Sequence, residues 1–402
     1  MCRNLFIKRL ATAITICLIL YGCDNNAGKH DIDPAAESPP KTATNEILEV
    51  SISRAANALW TLQAEDGGWH SSVYGHFKPG AAESALVLSV LSRLPARELA
   101  KHKGAVKNAI KFLANSQGND GGLGTKDEWL EVPTYTTSLG ILGFSRLKAD
   151  GWQKTIEPWV KYLKSAQNSD ENGCKSSEPP YGGWGPEGHP HSGIPRRSDI
   201  SSTRFALQAL VAAGVPSDDK LWVKAEEFVK RTQGLSSDGG FTFSPTNPEL
   251  NKAGRESKDS LSFRSYGSSS ADGGLCWNSL RKQKSPDLPR GTAELWVDRW
   301  LFAHSDAEHC QGFQGTEMER VGWKDGLTFY YRAALAEVSS LLDRNSSPKF
   351  PWEKLAQATM KTQLNDGTWI NEVTIMKEDD PLVATSFALE TLFLCREALS
   401  TK

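Results

Sequence analysis

Along residues 49–399 two apolar patterns take turns. The first is a stripe at helical spacing. It runs through Ala105, Ala109, Ile110, Phe112 and Leu113, again through Trp159, Val160, Tyr162 and Leu163, and again through Trp222, Val223, Phe228 and Val229. Each stripe predicts an amphipathic helix. The second pattern has almost no polar face. It occupies Ala81–Leu91, Thr136–Leu147, Ser202–Ala213 and Ala384–Cys395, and it predicts a buried helix. Between the two stands a Gln and then a Gly-rich turn ending in a large apolar residue. The copies are Gln63 with Gly67-Gly68-Trp69, Gln117 with Gly121-Gly122-Leu123, Gln233 with Gly239-Gly240-Phe241, and Gln363 with Gly367-Thr368-Trp369. A looser copy runs from Gln167 to Gly182-Gly183-Trp184. Glycine accepts the positive φ that ends a helix, so each turn separates two helices.

Repeats of this kind announce an array of one supersecondary unit. Six helical hairpins follow, at about 49–95, 104–148, 152–214, 221–282, 292–343 and 352–399. The expected fold class is all-α, an (α/α)6 toroid with amphipathic helices outside and apolar helices inside; an open solenoid is the competing arrangement. In a closed ring the inner helices start at one end. Their N-termini bring positive dipole ends and unpaired N–H groups to a funnel, the default binding site.

Charge narrows the partners. Lys+Arg 46 against Asp+Glu 48 leaves no basic excess, so nucleic acid is not an expected partner. The start of the chain reads as an address: Arg3, Lys8 and Arg9 precede an apolar run from Leu10 to Leu20, too short to span a bilayer. Leu20-Tyr21-Gly22-Cys23 resembles a bacterial lipobox. The expected organisation is a signal peptide at 1–22, a lipidated Cys23 with a polar tether through 47, and the toroid at 48–402; the alternatives are an ordinary signal peptide cut nearby and an uncleaved N-terminal anchor. Membrane attachment through Cys23 then places the protein in the bacterial cell envelope, facing periplasm or exterior. Cys174, Cys276, Cys310 and Cys395 are scattered and form no Cys-x-x-Cys pair, so no zinc ribbon or thioredoxin-like site is indicated. Neither a metal nor another cofactor is expected.

The Gln…Gly-x-Trp elements resemble the repeat motifs of squalene-hopene cyclases and of protein prenyltransferase β subunits, over about 49–399. The fifth repeat departs, with Ser305 where Gln belongs and an insertion at Asp306–Arg320. The resemblance implies the six-hairpin toroid and two possible chemistries. The cyclases protonate an alkene with an acid in an Asp-x-Asp-Asp-Thr segment. Here that segment reads Asp199-Ile200-Ser201-Ser202-Thr203, with serines at both central acids, and serine cannot supply such a proton. The prenyltransferases hold zinc with an Asp, a Cys two residues on and a distant His. Here Asp325 is present, Leu327 replaces the Cys, and Asp380-Pro381-Leu382-Val383-Ala384-Thr385 lacks the His. One carboxylate does not make a zinc site. The expectation is a membrane-tethered squalene-cyclase-like protein without either chemistry, binding an apolar, glycan or peptide ligand in its funnel. The alternatives are an exported enzyme resembling polysaccharide lyases and a divergent terpenoid cyclase.

Several residues carry both a chemical and a structural reading. Asp199, Tyr266 and Tyr330 are the candidate catalytic groups. Asp199 is equally a helix cap, which is the favoured reading. Tyr266 with Arg264 suits proton abstraction beside a carboxylate; its counterpart reading is an aromatic wall. His189, His191 and Arg197 sit on an insertion that either clamps a ligand or is a solvated loop. Asp272, Asp325 and Tyr331 open inner helices or flank them, and complete the ligand-binding candidates.

Overall fold

The structure is a computed structural model and describes residues 41–126, 131–189, 196–247, 251–285, 290–341 and 350–400. Cys23, the signal segment and His191 lie outside the described residues. The hairpins are α1 (Lys41–Thr61) with α2 (Ala81–Leu91), α3 (Lys103–Asn115) with α4 (Pro133–Leu147), and α5 (Trp152–Ala166) with α6 (Ile200–Ala212). They continue as α7 (Leu221–Gln233) with α8 (Gly267–Lys284), α9 (Thr292–His304) with α10 (Thr328–Ser340), and α11 (Trp352–Met360) with α12 (Pro381–Ser400). Helix α1 begins at Lys41, ahead of the boundary at 48 that the sequence suggested.

The even-numbered helices pack on one another in order, and α12 returns to pack on α2. The ring is therefore closed, and the solenoid alternative falls. Four outer helices lie mainly behind the inner helix of the preceding hairpin: α3 on α2, α5 on α4, α9 on α8, and α1 on α12. The other two, α7 and α11, lie mainly against the inner helix of their own hairpin. The division of burial matches the two sequence patterns. Nearly all of α2 is buried, whereas α3 buries only Ala109 and Leu113 completely. Val223, assigned to the apolar stripe of α7, instead stands 63% exposed.

The repeated Gln makes four of the joints by donating twice, while Gln117 instead accepts the Trp159 indole N–H. Gln63 Nε2 donates to its own turn at Gly67 O (2.8 Å) and to Ala105 O of the next outer helix (3.0 Å). Gln167 does the same with Gly182 and Leu221, and Gln233 with Gly239 and Ala293. Gln363 donates to Gly367 O and to Ser51 O, both at 3.0 Å, which joins the sixth hairpin to the first. The turn's Trp indoles reach back to carbonyls near the outer-helix C-terminus: Trp69 to Leu59, Trp184 to Leu163 and Trp369 to Thr359. The small polar residues that open the inner helices accept the turn's backbone N–H, namely Ser84, Thr137, Thr203, Ser270 and Thr385. Thr203, which matches the cyclase motif, thus has a role shared by every regular repeat.

Candidate functional site

Inside the ring, polar side chains project from inner helices that are otherwise apolar. Ser201, Arg204 and Gln208 recur at i, i+3 and i+7 on α6 and so share a face. Asp272 on α8 accepts hydrogen bonds from Ser201 Oγ (2.6 Å), Arg204 Nη1 (3.0 Å) and Tyr330 Oη (2.8 Å). Glu337, two turns along α10 from Tyr330, accepts from Gln208 Nε2 (2.8 Å) and from Arg204 Nη2. One guanidinium therefore bridges two carboxylates in the middle of the bore. Burial works against the charge on Glu337, yet Arg204, Arg93 and Arg146 together hold its carboxyl below the ordinary value. Burial pushes Asp272 up, and its three donors pull it partly back. Toward the inner-helix C-termini, Arg93 pairs with Glu390 (2.7 Å) and Glu397 (3.1 Å). A pocket of about 40 Å³ in the bore is bounded by Leu86, Leu139, Phe205 and Phe387 together with Arg204 and Glu337.

At the mouth, carboxylates occupy helix N-termini that the sequence left open for a ligand. Asp199 is the N-cap of α6: its Oδ1 accepts Ser202 N (2.7 Å) and its Oδ2 accepts Ser202 Oγ (2.8 Å). Glu131 accepts the N–H groups of Gly80, Ala81 and Ala82 at the start of α2. Glu378 accepts those of Phe329 (3.0 Å) and Tyr330 (2.8 Å) at the start of α10. Asp380 accepts Leu382 N (2.9 Å) at the start of α12. Four of the six inner helices thus meet a carboxylate at their positive end, where the dipole and the orphan N–H groups favour one.

The structure brings two sequence candidates together, Asp272 and Tyr330. Burial and the Asp272 charge raise the Tyr330 phenol well above its usual value, so it is a fixed donor rather than a base. Tyr266 is buried against Phe313 (ring centroids 5.3 Å apart). Arg264 gives its guanidinium to the carbonyls of Arg255 and Glu256 rather than to Tyr266. Tyr331 is buried, and its Oη accepts Asp306 N at 3.4 Å. Asp325 is half-exposed and pairs with His309 (3.1 Å). His189 stacks edge-on to Tyr162 on α5, and Arg197 pairs with Glu187. Among the described residues no cluster of His, Cys, Asp and Glu is arranged to hold a metal.

Arg204, Glu337, Glu131 and Glu378 carry the interior and mouth networks without having been singled out from sequence. The signal for the first two was an ionisable residue within a helix read as uniformly apolar. Glu131 and Glu378 sit in turns and act on a neighbouring hairpin, which no local pattern shows.

Two tests arise at the mouth. Asp199→Ala is expected to cost about 1–2 kcal/mol, the value of a cap, and Asp199→Asn under about 0.5, because Asn also caps well; urea denaturation of both variants separates cap from ligand anchor. The second concerns pH. Burial raises Asp199 to about 6 and Glu378 to about 7, above the unfolded values near 4. The folded state keeps protons that the unfolded chain releases. The stability these groups add is full below about pH 4 and is lost as pH rises through about 7. The melting temperature is expected to fall from pH 5 to 8, and Glu378→Gln to flatten that fall; a flat wild-type profile contradicts the assignment.

No family model matches the sequence, and no curated protein sequence is similar to it. Solved structures are similar in shape. A variant of the type II terpene cyclase MstE from Scytonema, in complex with geranylgeranyl dihydroxybenzoate, superposes with a TM-score of 0.55 at 12% identity, over 90% of this chain and 99% of that one. The apo form of MstE gives 0.51 at 12%, over 89% and 99%. A protein from Actinoplanes gives 0.51 at 16%, over 87% and 99%. At these identities the likeness concerns architecture, and it agrees with the closed ring of hairpins. This chain has the all-helical double-ring fold of the type II terpene cyclases.

Proposed function

We propose that this is an exported, lipid-anchored binding protein built on the terpene-cyclase-like ring, without cyclase or prenyltransferase chemistry. The observation that carries the reading is the Arg204 bridge across the bore. A chamber for cyclising an isoprenoid must be apolar and large enough for a folded hydrocarbon chain. Here the bore holds a pocket of about 40 Å³ beside a guanidinium and two carboxylates.

The acid positions support the same reading. Ser201 stands where the related cyclases place a central acid, and its hydroxyl is a donor to Asp272. Asp272 is a poor substitute, because both its oxygens already accept hydrogen bonds, from Ser201 and Tyr330 on one and Arg204 on the other, which leaves no O–H aimed at an alkene. The lyase alternative loses its Tyr266–Arg264 pairing, and with it the arrangement that suggested it. No described helix is long and apolar enough to cross a membrane; attachment is assigned to Cys23, whose acyl chains give firm anchoring when more than one is present.

The test is native mass spectrometry of the full chain purified in mild detergent, followed by two-phase extraction. A polar ligand recovered in the aqueous phase is the expected result. Conversion of added squalene or geranylgeranyl dihydroxybenzoate to a cyclic product would overturn the reading. Cys23→Ser is expected to move the protein from the membrane fraction to the soluble fraction.

A further inference from the structure

The repeat itself shows where a ligand fits. At three of the joints, an aromatic of the next outer helix lies against the second glycine of the turn. A Cβ on Gly122 would come within 2.7 Å of the Tyr162 ring, and one on Gly183 within 2.7 Å of Phe228. Both aromatics are fully buried, and Tyr162 is further covered by His189, 4.7 Å away. The first joint obeys the same rule, with Phe112 lying 2.7 Å from where a Cβ on Gly68 would be. Phe112 is met edge-on by His70, 5.5 Å away, yet it is only half-buried and forms the floor of a cleft of about 560 Å³ between the first two hairpins. That volume lies in the range of about 300–1,000 Å³ typical of small-molecule sites.

The walls of the cleft carry unused hydrogen-bonding groups. Asn108, Lys111 and Asn115 share the Phe112 face of α3 and are exposed. The amides of Asn108 and Asn115 make no side-chain hydrogen bond among the described residues. They stand seven residues apart, about 10 Å along the helix axis. Charge is mixed, with Lys111 and Lys126 against Glu65, Asp66 and Glu131, so the cleft is not built for a strongly charged ligand.

We infer that this cleft is the ligand site and that it takes a short stretch of carbohydrate, one pyranose ring stacked on Phe112 and its neighbours' hydroxyls held by Asn108 and Asn115. A pyranose has an apolar C–H face and a polar edge, which suits an aromatic floor flanked by amides that both donate and accept. A peptide would want an open strand edge or an apolar groove for a helix, and the cleft supplies neither. The inference rests on the binding-protein reading above and adds the place and the ligand class.

The experiment uses the full chain in detergent micelles with chitotetraose, cellotetraose and maltotetraose as probes, followed by saturation-transfer NMR and titration calorimetry. At least one probe is expected to bind, and Asn108→Ala and Asn115→Ala are each expected to weaken it about three- to tenfold, the loss of one hydrogen bond. Lys164→Ala, on the outer face of another hairpin, is expected to leave affinity unchanged. Phe112→Leu removes the aromatic floor while staying apolar and is expected to remove most of the ring-proton saturation signal. Absence of binding by all three probes overturns the inference, as does retention of mixed tripeptides in their place. If a probe binds and both Asn variants bind as well as wild type, the cleft assignment falls while the binding-protein reading stands. Cyclic product from an isoprenoid, by contrast, sinks that reading first.

Discussion

Arg204→Met is expected to destabilise the protein by about 3–5 kcal/mol, the cost of removing one partner from a buried ion pair. Asp272 has no exposed side-chain surface and the Arg204 side chain is 6% exposed, so water cannot take over the lost contacts. Methionine fills most of the space, which confines the effect to charge. The loss arises chiefly because Asp272 remains buried in the bore without a counter-ion, whereas Glu337 keeps the field of Arg93 and Arg146. Adding Asp272→Asn and Glu337→Gln to the same chain is expected to recover more than half of it, since neutral groups are cheaper to bury. Urea denaturation of the single and triple variants makes the comparison. A single variant within about 1 kcal/mol of wild type would show that the bridge does not hold the bore together.

The second large effect is expected at the seam of the ring. Gly367 has φ of +92°, and a Cβ there would lie 2.6 Å from the Arg54 carbonyl on α1. Gly367→Ala therefore meets two penalties: left-handed strain of about 1–2 kcal/mol, and a backbone clash that forces the sixth turn away from the first hairpin. Gly151 supplies the control. Its φ is +72° and a Cβ there meets nothing within 4 Å, so Gly151→Ala carries the strain alone. The two variants are expected to differ in stability, with Gly367→Ala the weaker. Amide exchange is expected to accelerate in the turn, from Leu364 to Trp369, and along α1. Equal stability of the two variants would mean that the seam tolerates displacement.

The double ring was legible in the sequence because its periodic signals are local and repeated. The Gln, a positive-φ glycine and a large apolar turn residue recur from copy to copy, in closely similar settings. Closure was not legible: the bond from Gln363 to Ser51 spans 312 positions, and an open array would show the same repeat. The candidate site was read unevenly for a related reason. Asp199 sits directly ahead of the helix it caps, so its role follows from position. Arg204 draws its meaning from Asp272 and Glu337 on two other helices, and Phe112 draws its meaning from an exposure that the buried Tyr162 and Phe228 do not share. Tyr266 and Arg264 are near in sequence, yet the loop that carries Arg264 turns its guanidinium onto its own carbonyls.

The carboxylates at the mouth have a consequence for how the molecule comes apart. Glu131 belongs to the second hairpin and serves the first; Glu378 belongs to the sixth and serves the fifth. Should either donor hairpin fray, the adjacent one is left with bare amide ends in a dry setting, so damage spreads sideways instead of staying local. A solenoid peels from its tips, but a hoop with such borrowed caps has no tip to peel from, and a single sharp melting transition is the behaviour this wiring favours.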